Sequence, residues 1–293
     1  MFSRLSPRAQ AILLMITAIF FFSAMDACAK GLAPRVGAVP AIWVRYTGQC
    51  LVVLLLINRH LPTAMRTRHP WLQLLRSVFL LIGTGCFFFG VANIGLAEAT
   101  AIIDLNPVLI TLGAALFLGE QIGPRRLIGI GVSMVAALII IRPGAAVFSP
   151  WALLPLIAAF SYSGYNIVTR FVSHNDSNWT SLLYTAIFGA VVMSAIIPFY
   201  WVRPDGTAIL LMLAIAGCGT LSQLCLIRAL SMGEAGMLAP FAYTGLIFAT
   251  VWGAVFFREW PDIWTVVGAS VIVTAGIYVW YRETFSTEPA KPT

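Results

Sequence analysis

Long apolar runs alternate along this chain with brief polar interruptions, and the spacing is that of helices crossing a membrane. Runs of about 20 apolar residues suit helices that rise 1.5 Å per residue through ~30 Å of hydrocarbon. Ten are readable: Gln10–Lys30, Val39–Ile57, Trp71–Ala92, Ala97–Leu118, Leu127–Ile141, Trp151–Arg170, Trp179–Trp201, Thr207–Ile227, Gly236–Phe257 and Ile263–Tyr281. The interruptions hold charges and breakers: Arg59, Arg66 and Arg68, a minimal turn at Asn93–Leu96, Gly123-Pro124, and Arg142-Pro143-Gly144. Outer-membrane strands would give shorter, alternating segments. The pattern predicts an all-α integral membrane protein of ten transmembrane helices.

The runs also repeat. AIFFFSAMDACAK at Ala18–Lys30 returns as AAFSYSGYNIVTR at Ala158–Arg170, with Asp26 replaced by Asn166 and Lys30 by Arg170. GEQIGPRRLIGIGV at Gly119–Val132 returns as REWPDIWTVVGASV at Arg258–Val271, aligning Glu120 with Glu259 and Gly129 with Gly268. Tyr46 and Tyr184 make a third echo, in the second helix of each half. Three echoes in one order indicate a duplication, with one five-helix repeat over residues 1–143 and another over 144–282. Residues 283–293 read as a disordered cytoplasmic tail, polar and carrying Pro289 and Pro292. Five is odd, so the halves enter the membrane from opposite sides, as two inverted five-helix repeats.

Composition narrows the solvent. The chain is 60% hydrophobic and 10% charged, with a mean hydropathy of +0.90, where soluble domains average roughly 25% charged residues. The net charge of +7 does not mark a nucleic-acid binder, because the cations sit mainly in short loops. Arg4, Arg8, Arg59, Arg66, Arg68, Arg76, Arg125, Arg126, Arg170, Arg228, Arg282 and Lys291 fall on the side of the N-terminus. Lys30, Arg35, Arg142, Arg203 and Arg258 fall on the other. That excess predicts an inner-membrane protein with both termini cytoplasmic. The five cysteines lie inside apolar runs without metal or redox spacing, and read as small buried hydrophobes.

The paired segments Glu98–Gly131 and Glu234–Gly276 carry Pro107, Gly119-Glu120 and Gly129, then Ala239-Pro240-Phe241-Ala242-Tyr243 and Glu259-Trp260-Pro261-Asp262-Ile263-Trp264-Thr265. On these the chain resembles a ten-helix, EamA-type member of the drug/metabolite transporter superfamily, over about Ala9–Tyr281. The resemblance implies alternating access by two five-helix halves around a central cavity. It does not select among amino acids, organic cations, nucleotide sugars, riboflavin or S-adenosylmethionine.

Ionisable groups inside spans are expensive and become functional candidates. Asp26 and Arg45 fall at similar depth in the first two helices; they either form a structural ion pair or share an anionic or zwitterionic substrate. Asp104 and Asn106 lie near the middle of the fourth span just before Pro107, whose missing N–H frees a carbonyl near Ile103. Asp104 is a candidate for a substrate amine, a coupling proton or a structural hydrogen bond. Tyr243 lies in the matching region of the second half, although Pro240 sits earlier in its helix than Pro107. Asn166, Tyr165 and Gln223 add neutral polar groups toward the N-terminal side. Trp252 either lines the outer half of the cavity or packs against lipid and helices, whereas Trp71, Trp151, Trp179, Trp201, Trp260, Trp264 and Trp280 read as an interfacial belt. Glu98, Glu120, Glu234 and Glu259 are expected to cap helices or pair with local arginines. Gly129, Gly131 and Gly268 are expected to let the fifth and tenth helices pack closely.

His60, His69 and His174 are scattered in loops, and no HExxH, GxSxG or P-loop appears. The sequence therefore reads as a secondary transporter rather than an enzyme, without metal or cofactor. Its expected partners are a small-molecule substrate and membrane lipid, with proton coupling or uncoupled exchange, as a monomer or homodimer. The expected cargo is an amino acid or amine-bearing metabolite, moved outward; S-adenosylmethionine or riboflavin-like uptake is the alternative.

Overall fold

A computed structural model describes residues 7–57, 61, 65–106, 108–110, 112–113, 124–141, 149–173, 176–232, 238 and 241–285. Among them ten helices carry the chain, without a strand. They are α1 (Pro7–Val36), α2 (Ala38–Ile57), α3 (Pro70–Asn93), α4 (Leu96–Ile103), α5 (Pro124–Ile141), α6 (Leu153–Ser173), α7 (Asn178–Ile196), α8 (Gly206–Met232), α9 (Thr244–Trp252) and α10 (Ile263–Phe285). A helix satisfies its own N–H and C=O groups, which lipid cannot do. Among the described residues six stretches are long and apolar enough to cross a bilayer, within α1, α2, α3, α6, α7 and α8. Apolar parts of α5, α9 and α10 are shorter.

Helix ends follow local chemistry. Helix α1 runs past Lys30 and over Pro34 to a left-handed Gly37 (φ +86°), whose N–H donates to Ala33 O at 2.9 Å. Pro70 starts α3, where its missing N–H costs nothing. Ser177 caps α7 by accepting the Thr180 N–H at 3.1 Å. Helix α9 passes through a π-turn, Gly253–Phe257, and stops at Arg258, in left-handed conformation at φ 56°. There Glu259 N–H donates back to Gly253 O at 3.0 Å.

The fourth and ninth helices break at equivalent places. Helix α4 ends in a turn at Asp104–Leu105 and helix resumes at Asn106, the residue before Pro107 in the sequence. In the second half the turn falls on Tyr243. Asp104 and Tyr243 are separated by the same spacing as Glu120 and Glu259, so the breaks match although the prolines do not. Pro107 and Pro240 themselves lie outside the described residues, as do Glu120, Glu234, Arg142, and the side chains of Arg125, Arg126 and Arg170.

Contacts at helix ends fix the directions. Lys30, late in α1, donates to Val91 and Ile94 carbonyls at the end of α3, so α1 and α3 run parallel. Arg76, early in α3, reaches Thr169 late in α6, while Gly90 meets Pro155 early in α6, so α3 and α6 run antiparallel. The first helices of the two halves therefore point opposite ways, and the repeats are inverted. The halves interlock: α1 packs on α8, α3 on α6, α1 on α9, α4 on α6 and α2 on α7, with α5 against α10.

Glycine permits the close crossings. A Cβ on Gly268 would fall 2.5 Å from Ile140 Cγ1, so α10 presses against α5 there, whereas one on Gly131 would meet nothing within 4 Å. A Cβ on Gly189 of α7 would fall 2.2 Å from the ring of Tyr46, a fully buried side chain of α2. Gly189→Ala is expected to destabilise the protein by about 1–3 kcal/mol through overpacking. Gly131→Ala should be neutral or stabilising, and thermal unfolding of both variants in detergent checks the contrast.

Candidate functional site

Four helices, α1, α2, α3 and α6, bring polar side chains together. Arg45 of α2 is buried, with its guanidinium 5.8 Å from the Tyr46 ring and 5.7 Å from the Phe88 ring. Asp26 of α1 lies within its electrostatic reach, and the Tyr162 hydroxyl of α6 faces both charges. Tyr46 donates to Thr84 Oγ1 of α3 at 3.1 Å, and Thr84 is 3.4 Å from the Tyr162 hydroxyl. Among the described residues no salt bridge closes between Asp26 and Arg45. Asp26 and Arg45 thus act on each other without a salt bridge, and the Tyr162 hydroxyl lies within reach of both.

A second group sits at the paired breaks. The Asp104 Oδ2 and Tyr243 hydroxyl are both enclosed, and among the described residues both lack a hydrogen-bond partner. The two groups sense each other electrostatically. Tyr243 is aimed at α10, where a Cβ on Gly276 would fall 1.8 Å from its hydroxyl. Asn106 turns the other way, accepting from Ser163 Oγ of α6 at 2.8 Å.

The remaining sequence candidates disperse. Asn166 spends its amide on the Tyr162 carbonyl of its own helix, at 2.7 Å. Gln223 is half-buried on α8. The Trp252 ring packs at 5.5 Å from Phe20 and 5.7 Å from Phe256, with its Nε1 enclosed and unpartnered among the described residues. Tyr165 belongs to a network toward the N-terminal face. Its hydroxyl accepts from Arg76 Nη2 at 2.6 Å, and its ring lies 4.5 Å from that guanidinium.

Arg76 corrects the sequence reading. Counted there among loop cations, it is buried inside α3, donating also to Thr169 Oγ1 at 2.6 Å and Ser181 O at 2.7 Å. Just below it Asp176 accepts from Thr67 Oγ1, from Gln73 Nε2 at 2.9 Å and from the Arg68 N–H. Burial pushes the Asp176 carboxyl up, but those hydrogen bonds outweigh it and hold the group below its ordinary value.

The opposite face has its own tie. Lys30 Nζ donates to Val91 O (2.9 Å) and Ile94 O (2.5 Å) and pairs with Glu259 Oε1 at 3.0 Å. Glu259 Oε2 accepts the Leu96 N–H at 3.2 Å. Glu259 is expected from the sequence to cap a helix or pair with a local arginine; it accepts an N–H at the start of α4, and its ion-pair partner is Lys30 of α1 rather than an arginine. Arg35 and Asp205 form a more exposed pair at 2.6 Å.

Sequence reasoning also passed over Tyr162 and Thr84. Tyr162 had a signal: it occupies the position where the first copy of the repeat has Phe22, so a hydroxyl replaces a ring edge. Thr84 had none beyond being polar within an apolar run. A groove of about 350 Å³ opens elsewhere, between α3 and α7, and includes neither Asp26, Arg45 nor Asp104.

Comparison with known proteins agrees with this geometry. The model of the EamA-like transporter family matches twice, over residues 9–142 and 149–282. The chain is 27% identical over 261 residues to an S-adenosylmethionine uptake transporter of Rickettsia felis, covering 89% of each. It is 32% identical over 272 residues to a pseudopaline exporter of Pseudomonas aeruginosa, covering 91% of this chain and 94% of that one. A riboflavin transporter of Rhizobium johnstonii is 27% identical over 277 residues, with 92% and 90% covered. A solved crystal structure superposes with a TM-score of 0.66 at 18% identity, over 94% of this chain and 99% of the other, which bears on the fold alone.

The Asp176 network yields a pH expectation. A carboxyl held below its ordinary value of about 3.8 stabilises the folded state above that pH and loses the contribution as pH falls below it. Asp176→Asn is therefore expected to cost roughly 1–3 kcal/mol at neutral pH and to flatten the acid limb of stability. Tryptophan fluorescence during acid titration would read both.

Proposed function

The chain belongs to the EamA-like transporter family, and on that premise we propose that it carries a small metabolite bearing both an amine and a carboxylate. As a transporter of small molecules it works by alternating access of its two halves. The finer reading rests on one observation: Asp26 and Arg45 are ionisable groups of opposite sign within the helices that act on each other electrostatically, yet among the described residues no salt bridge closes between them. A zwitterion placed between them would satisfy both, its amine on Asp26 and its carboxylate on Arg45. Tyr162 would hydrogen-bond the bridge, and the Phe88 and Tyr46 rings would hold the guanidinium in place. Each charged hydrogen bond is worth about 1.5–3 kcal/mol. A ligand lacking one charge would leave its counterpart buried and unpaired.

Asp104 fits a different task. It lies within electrostatic reach of the Tyr243 hydroxyl, and among the described residues its Oδ2 has no hydrogen-bond partner. We assign it the coupling proton rather than the substrate amine. Outward transport is the direction we propose, in line with the pseudopaline exporter among the relatives. Uptake of S-adenosylmethionine, itself an amine and carboxylate carrier, is the second reading, favoured by the Rickettsia relatives.

Counterflow in proteoliposomes tests the carrier. Labelled amino acids, S-adenosylmethionine and riboflavin are each offered against unlabelled internal ligand, and trans-stimulated exchange is expected only for compounds with both charges. Arg45→Gln and Asp26→Asn are each expected to raise KM by about 10-fold or more. Unchanged KM in both would remove the pair from substrate binding. Asp104→Asn is expected to keep exchange while abolishing stimulation by a pH gradient; preserved stimulation would assign the proton elsewhere.

A further inference from the structure

The groove between α3 and α7 belongs to neither polar cluster. Pro70 and Leu74 line one wall, and Leu183, Ile187, Phe188 and Val191 the other. It opens outward: Leu74 is 36% and Val191 64% exposed. From Leu183 to Val191 the wall is about 12 Å long at 1.5 Å per residue, the length of a stretch of acyl chain.

One end of this slot is cationic. Met65 and Pro70 both line it, and the link between them holds Arg66 and Arg68, both exposed. Tyr184 donates to Met65 O at 2.9 Å, which pins the link against α7. Among the described residues no carboxylate pairs with either arginine. The nearby Asp176 is occupied by Thr67, Gln73 and the Arg68 backbone N–H. Trp71 and Trp179, exposed at the starts of α3 and α7, mark this end as the membrane–water boundary.

We propose that the groove and its two arginines bind a phospholipid with an anionic head group. One acyl chain lies between α3 and α7, and the phosphate meets Arg66 and Arg68. The apolar walls select a lipid tail, and two unpaired cations at the boundary select a net negative head over a zwitterionic one. Recognition of this kind needs both parts, as in basic pockets between transmembrane helices. The bound lipid would strap the Met65–Pro70 link to α7, across the face that the Asp176 network closes.

The test uses the full chain in detergent, titrated with phosphatidylglycerol or phosphatidylcholine while thermal unfolding is followed. Phosphatidylglycerol is expected to raise the midpoint well above phosphatidylcholine. The double variant Arg66→Gln/Arg68→Gln should lose the preference, its phosphatidylglycerol affinity falling about fivefold per cation removed. Ile187→Trp, which fills the slot, should weaken both lipids. Equal stabilisation by the two lipids, or a preference that survives the double variant, overturns the proposal. So does an equal rise with glycerol phosphate alone, which would make the site one for a soluble anion. If the double variant does not fold, native mass spectrometry decides, comparing phosphatidylglycerol adducts on the unsubstituted protein and Ile187→Trp; equal retention overturns the groove.

Discussion

A lysine ammonium surrounded by lipid-facing helices must be neutralised or it will not stay charged, and much of this architecture follows from how Lys30 is satisfied. Its three donors go to the last carbonyls of α3 and to Glu259. A helix leaves its final carbonyls without internal partners, and a cation there is favourable. Glu259 does the converse at the first turn of α4, accepting an orphan N–H. One ion pair thus fills both vacancies of the α3–α4 corner and binds four segments drawn from both halves. Removing one partner of a fully buried pair costs about 3–5 kcal/mol; here Glu259 keeps 36% of its side-chain surface, so less is at stake energetically than in fixing the arrangement.

The interlocked packing extends the same logic. Each half lays its first helix on the third helix of the other, so neither half is a separate bundle. The polar layer at Arg45 draws on α1, α2, α3 and α6, and the Arg76 network on α3, α6 and α7. Between the Lys30 tie on one face and the Arg76–Asp176 network on the other lie Asp26 and Arg45, which act on each other without a salt bridge among the described residues.

How much of this the sequence disclosed depends on whether the signal was local. Ten runs, their echoes and the odd helix count are one-dimensional properties, and the inverted fold follows from them. Asp26, Arg45 and Asp104 stood out because ionisable residues are rare in apolar runs. Arg76 did not, since it lies near a helix start where orientation cations are common. What reveals it as buried is Thr169, Tyr165 and Ser181, residues from the other half. Glu259 was legible as a helix-end acid, but not as the partner of Lys30. The repeat aligns Lys30 with Arg170 and Glu120 with Glu259, and an alignment relates equivalent positions rather than touching ones. The helix breaks show the reverse case: the prolines suggested an inexact repeat, while the backbone turns at Asp104 and Tyr243 coincide.

The cross-half placement of Lys30 has a consequence for how the chain is made. Glu259 leaves the ribosome more than two hundred residues after Lys30, at synthesis rates of about 5–20 residues per second. For that interval the nascent first helix holds an ammonium with only α3 carbonyls for company. The bilayer must therefore receive the early segments loosely, snorkelling the charge toward water, and the native clasp forms only when the ninth helix arrives to turn the corner at Arg258.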